Sequence, residues 1–131
     1  MTIQEVCRIT GISQDTLRYY ERVGAIPKVA RTAGGIRNYQ EEDLRWIRTA
    51  TCLRSAGMSV ESVAEYVRLY QLGDASFQAR LDLLSHEREG LLRQKEQLEN
   101  TLALLNFKIS RYEKAVKTGV LSWERNEDEK N

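Results

Sequence analysis

Proline is almost missing from this 131-residue sequence: it occurs once, as Pro27, and only eight glycines accompany it. So few chain-breakers argue against a disordered chain and against an all-β fold with its many turns. Cysteine is as scarce. Cys7 and Cys52 make no disulfide framework, and with the single histidine, His86, they cannot supply four zinc ligands from one chain. Reduced thiols, no metal and no other cofactor are expected. No apolar run approaches the roughly 18 residues that span a bilayer, so no membrane partner is expected. The opening Met1-Thr2-Ile3-Gln4-Glu5 lacks the basic-then-apolar character of a secretory leader. The expected compartment is the cytoplasm. An enzyme is disfavoured too, because His86 has no acid/base or nucleophile partner set around it.

What is present is charge and helical periodicity. The net charge of +1 hides an asymmetry: residues 1–40 hold six Lys/Arg (Arg8, Arg18, Arg22, Lys28, Arg31, Arg37) against three acids, whereas residues 118–131 hold two bases and four acids. Positive charge therefore gathers in the first third, where contacts to a polyanion would sit.

Thr2 and Glu5 have the spacing of a capping box, and Ile3, Val6, Cys7 and Ile9 give the following helix an apolar stripe. Thr10-Gly11 stops it, Ile12 is a buried turn residue, and Ser13 caps a second helix with Asp15 in its first turn. Two short helices around a glycine turn fit a helix-turn-helix, and equally any two short helices of a bundle. The second helix favours the former. With Leu17 and one of the two tyrosines, Tyr19 or Tyr20, toward a core, Thr16, Arg18 and the other tyrosine face outward. Hydroxyl, guanidinium and phenol are groups that bind phosphates and base edges.

Periodicity breaks between Val23 and Tyr39. Ala25-Ile26 and Ile36-Arg37-Asn38-Tyr39 are short enough for two small strands around Gly34-Gly35, with Lys28, Arg31 and Arg37 projecting. This is a basic wing gripping backbone beside the second helix, or simply a mobile loop. A third helix is expected over 41–56. A fourth, capped by Ser59, carries Val60, Val63, Ala64, Val67 and Leu72 on its apolar side.

From Phe77 a heptad runs. Leu84, Leu91, Leu98, Leu105 and Tyr112 recur every seven residues, and Leu81, Arg88, Lys95, Leu102, Ile109 and Val116 stand three positions earlier in each heptad. Roughly 40 helical residues make a rod of about 60 Å. A small head cannot cover such a stripe, and no later helix exists to do so, so a coiled coil with a partner helix is expected. Arg88 and Lys95 weaken the seam and bear on register or orientation. The remainder, 118–131, reads as a short polar tail. The organisation expected is 1–72 as a winged helix-turn-helix head, 76–117 as a dimerisation helix, and 118–131 as tail.

The run Thr16-Leu17-Arg18-Tyr19-Tyr20-Glu21-Arg22-Val23-Gly24, then Pro27, Arg31, Gly35-Ile36-Arg37-Asn38-Tyr39, Glu42-Asp43-Leu44 and Leu53-Arg54-Ser55-Ala56-Gly57-Met58-Ser59-Val60-Glu61, resembles the MerR family of regulators over about the first 70 residues. One departure is Gln40, where Ser, Thr or Asp is the more usual cap. The resemblance implies a mainly α fold: a winged helix-turn-helix head with a small β wing, then a long C-terminal helix forming an antiparallel homodimeric coiled coil. It also implies double-stranded DNA at a pseudo-palindromic promoter operator, with RNA polymerase at the same promoter, and activation by bending and untwisting the DNA. Ser13, Thr16, Arg18, Tyr19, Tyr20, Arg31, Arg37 and Tyr39 are the candidate DNA contacts, with Arg18 on base edges or phosphate and Tyr20, Arg37 and Tyr39 on phosphates. Leu84, Leu91, Leu98, Leu102, Leu105, Ile109 and Tyr112 are the candidate dimerisation residues.

The two thiols read differently. Cys7 lies on an apolar stripe and is expected in the core. Cys52 falls off the apolar side that Leu44, Ile47, Ala50 and Leu53 define, one turn after Arg48 and two after Arg45, an electropositive setting in which reactive thiols occur. Gly34 to Tyr39, Trp46-Ile47, Cys52 to Ser59 and Glu65-Tyr66-Val67 are similar to the branch of that family answering aldehydes and thiol stress. The resemblance implies Cys52 as the sensor. Alternatives remain: a packing role for Cys52 with a different small-molecule effector, or a coiled-coil interaction protein, which would leave the Arg18-Tyr19-Tyr20 face and the basic wing without purpose.

Overall fold

The computed structural model describes residues 1–124 and divides into two compact units, Met1–Leu91 and the part from Leu92 on. In chain order the helices are α1 (Ile3–Thr10), α2 (Gln14–Val23), α3 (Glu41–Ser55), α4 (Val60–Gln71), a 3₁₀ turn (Asp74–Ser76) and α5 (Phe77–Thr118). None of the described helices is long and apolar enough to cross a membrane.

Local chemistry sets the helix ends. The Glu5 amide donates to Thr2 Oγ1 and the Thr2 amide to the Glu5 carboxylate, closing the capping box of α1. Gly11, at φ 73°, sends its amide back to the Cys7 carbonyl, a left-handed cap that a Cβ would strain. Ser13 and Ser59 accept the amides of Thr16 and Ser62, opening α2 and α4. At Gln40 the help comes from the other side: the Asp43 carboxylate accepts the Gln40 amide at 2.8 Å.

The buried core of the first unit gathers one face of each head helix: Val6 from α1, Leu17 from α2, Leu44, Ile47 and Ala50 from α3, Val63 from α4. Ala25, Ile26, Val29, Tyr39 and Met58 join it from the connecting segments. Cys7 and Ile12, expected buried, are only partly so and pack at its edge, and Ile9 is exposed. Leu72, expected on the apolar side of α4, is also exposed, because the helix ends at Gln71 and Leu69 is buried in its place.

The wing differs from the expected pair of strands. Ala25 and Ile26 do not pair with 36–39, because their amides are committed to the Tyr20 carbonyl and complete the last turn of α2. The hairpin lies later. A single antiparallel bridge joins Arg31 and Arg37, flanked by Thr32 N–H to Ile36 O at 2.7 Å and Asn38 N–H to Ala30 O at 2.7 Å. Gly35, at φ 81°, turns it. Among the described residues no sheet extends beyond that bridge.

α5 is one continuous helix of 42 residues. Leu83 packs against the head core, while the heptad residues Leu84, Leu91, Leu98, Leu102, Leu105, Ile109 and Tyr112 are all exposed, Leu98 at 70%. The tail is less polar than expected. Trp123 returns onto α5, edge-on to Tyr112 at 5.6 Å, tilted against Phe107 at 6.4 Å, with Lys108 Nζ 4.9 Å from its ring centre. The acidic end expected at 126–131 lies outside the described residues.

Candidate nucleic-acid interface

The outer face of α2 is built by its register. Leu17 is fully buried and pins the helix to the core, which turns Thr16, Arg18 and Tyr19 away from it. Thr16 Oγ1 accepts from Ser13 Oγ at 2.9 Å, so both candidate hydroxyls sit together at the start of the helix. Arg18 is held along the helix by Gln14 Oε1 at 3.1 Å and by the exposed Asp15 carboxylate at 3.5 Å. The tyrosines divide. Tyr20 packs at the edge of the core, and Tyr19 is the exposed one, with the Arg22 guanidinium 5.3 Å from its ring centre. Tyr20, given a phosphate role from the sequence, is thus the less exposed of the pair.

Beside this face, α2 and the wing enclose a hollow of about 550 Å³ lined by Arg18, Glu21, Arg22, Lys28, Val29, Arg31 and Arg37. Five cations meet one carboxylate there. Glu21 organises them: it accepts the Val29 amide at 2.9 Å and Arg37 Nε at 2.7 Å, tying both strands of the wing to α2. Burial alone would raise the Glu21 carboxyl. The Arg37 and Val29 hydrogen bonds and the charges of Arg37 and Arg31 outweigh it and hold the group below its ordinary value. Arg31 Nη1 donates to the Gly35 carbonyl at 2.8 Å, bracing the hairpin tip while its charge stays exposed.

Tyr39 does not take the surface place expected of it. It is 1% exposed and is the largest fully buried side chain, because the segment after the wing turns inward to reach α3. Burial pushes its phenol up, against the pull of nearby Arg37, and its hydroxyl has no hydrogen-bond partner among the described residues. It is a core residue in this conformation rather than a phosphate contact. Arg37, only partly exposed, serves Glu21 first. The sequence placed Lys28 in the basic wing but left Arg22 off the interface, although both line the hollow; the concentration of basic residues before position 40 was the available signal.

Cys52 is exposed and reduced, on the side of α3 away from the core, whereas Cys7 is partly buried against it. Nothing brings the two together.

Comparison with known proteins bears on this geometry. The family described as MerR HTH family regulatory protein matches residues 1–69. The chain is 47% identical over 92 residues to the HTH-type transcriptional regulator AdhR of Bacillus subtilis; the match covers 70% of this chain and 66% of that protein. It is 33% identical over 109 residues to an HTH-type transcriptional regulator of Haemophilus influenzae, covering 83% and 81% of the two. Among solved structures, a MerR family transcriptional regulator from Listeria monocytogenes superposes with a TM-score of 0.85 at 36% identity, over 91% of this chain and 90% of that one. HiNmlR, a MerR family regulator lacking the sensor domain and solved bound to promoter DNA, superposes with a TM-score of 0.77 at 31% identity, over 90% and 94%.

Proposed function

Because the chain belongs to the MerR family of helix-turn-helix regulatory proteins, we propose that it is a transcriptional regulator that binds a pseudo-palindromic promoter operator as a homodimer and acts there on RNA polymerase by distorting the DNA. The observation that carries this is the outward face of α2 continuing into a hollow of five cations and one carboxylate. A helix presenting Thr16, Arg18 and Tyr19 fits a major groove, and the cationic hollow beside it suits the backbone phosphates that flank the groove. The promoter-bound relative HiNmlR supports the partner.

The dimer rests on α5. Seven of its nine heptad core positions from Leu84 to Tyr112 are exposed apolar side chains, Arg88 and Lys95 being the other two, and two such stripes bury each other. A two-fold pair of heads then calls for an operator with matching half-sites. Bending or untwisting a short site costs a few kcal/mol, so a modest change in the protein suffices to switch it.

The input we assign is Cys52, reacting with electrophiles such as aldehydes or with agents of thiol stress. Its exposure on α3 and the resemblance of its surroundings to the aldehyde-responsive branch support this. Cys52→Ala is expected to bind the operator with wild-type affinity and to lose electrophile-induced transcription, with wild-type protein gaining one adduct mass on Cys52. Undiminished induction in the variant overturns the assignment and leaves Cys52 as a packing residue beside another effector.

A further inference from the structure

The joint between α4 and α5 is held by two side chains, Ser76 and Arg80. Gly73, at φ 82°, turns the chain after α4, and the 3₁₀ turn delivers Ser76 into a buried position. Ser76 Oγ is within hydrogen-bond reach of the carbonyls of Leu69, in the last turn of α4, and of Gly73, each of which also accepts a backbone amide. Arg80, from the first turn of α5, reaches back to the same place. Its Nε donates to Ser76 Oγ at 2.8 Å and its Nη2 to the Gly73 carbonyl at 2.7 Å. The guanidinium lies 4.8 Å from the ring centre of Tyr70 on α4 and 4.9 Å from that of Phe77 on α5. Tyr70 in turn meets Trp46 of α3 edge-on at 4.9 Å. A planar, forked cation that hydrogen-bonds and stacks together fixes direction as well as distance, which a lysine cannot do equally.

Arg80 takes no part in the cationic hollow, and the start of a helix needs no such clamp in order to form. We infer that Arg80 is a positioning residue: it sets the direction in which α5 leaves α4 and, in a dimer joined through α5, the separation at which the two heads meet their half-sites. The inference rests on the dimeric operator binding proposed above. The lever is long. A swing of about 10° at the first turn moves Leu91, about fourteen residues along the helix, by about 3.7 Å, more than the roughly 3.4 Å between base pairs.

The test uses the full chain and an operator that the chain itself selects from randomised duplexes, together with versions carrying one base pair more or fewer between the half-sites. Wild-type affinity is expected to fall about tenfold or more with either change, because rigidly held heads cannot follow their half-sites. Arg80→Ala is expected to bind the native spacing within about threefold of wild type and to lose less than about threefold on the altered spacings, with Arg80→Lys between the two. Ser76→Ala, which removes the shared hydroxyl, shifts the spacing penalty the same way and carries the test with Arg80→Lys if Arg80→Ala does not fold. A spacing penalty in these variants equal to that of wild type, including uniform weakening at every spacing, overturns the proposal. Wild-type binding indifferent to spacing refutes the two-headed reading itself, and the proposal with it.

Discussion

Glu21 shows how one residue serves two ends of the head. Its carboxylate is part of α2, yet its hydrogen bonds go to Val29 and Arg37 on either strand of the wing. It pairs with Arg37 and leaves the other cations of the hollow facing a partner. The sign of its pH dependence follows from the lowered folded-state value. Glu21 contributes stability that is present above the ordinary carboxylate value near 4.5 and is lost as the pH falls through the lower folded value. Glu21→Gln is therefore expected to cost about 1.5–3 kcal/mol at pH 7, the range for a hydrogen bond to a charged partner. Thermal unfolding of the two proteins should converge below pH 4.5; a gap that persists unchanged into acid would count against the ion pair. Arg18 belongs to the same scale. Arg18→Ala is expected to weaken operator binding about tenfold to a hundredfold, as loss of a base-edge contact does, and to relax specificity at one position of the half-site. Equal weakening on every sequence would make Arg18 a phosphate contact instead.

The elements differ in how much of them can be read from sequence, and the reason is physical. Thr2, Ser13, Gly11 and Ser59 announce helix ends that the structure has, because a cap is made within three or four residues of the side chain that makes it. Ser59→Ala is expected to lower stability by about 1 kcal/mol without touching DNA affinity, which unfolding and binding measurements together will check. The wing was legible in composition only. Its register depends on Ala25 and Ile26 being spent on the end of α2, a competition that no local pattern reveals. Tyr39 misleads for a related reason: a tyrosine following two basic wing residues has the chemistry of a phosphate contact, and only the path of the chain into α3 buries it. Arg80 was invisible as a joint, since its partners Gly73, Ser76, Tyr70 and Phe77 look like the ordinary end of one helix and the start of the next. At the described part of the tail, Trp123 finds Phe107 and Tyr112 on α5, a pairing that no local pattern announces.

The whole-molecule account joins two readers of DNA through α5. The heptad stripe of α5 is legible because a seven-residue repeat is a global property written locally, residue after residue. Leu98 is 70% exposed in the single chain, so Leu98→Asp should leave each head folded, with unchanged helical content, and shift sedimentation from dimer to monomer. The central claim is that two heads, each with its cationic hollow, bind one operator together. The most direct test is operator affinity titrated against salt concentration, with the number of chains per duplex counted in the same solutions. The account predicts two chains per duplex and a logarithm of affinity falling linearly with the logarithm of salt, with a slope of about −5 to −7 if each head neutralises three or four phosphates. One chain per duplex, or an affinity that salt leaves nearly unchanged, would contradict it.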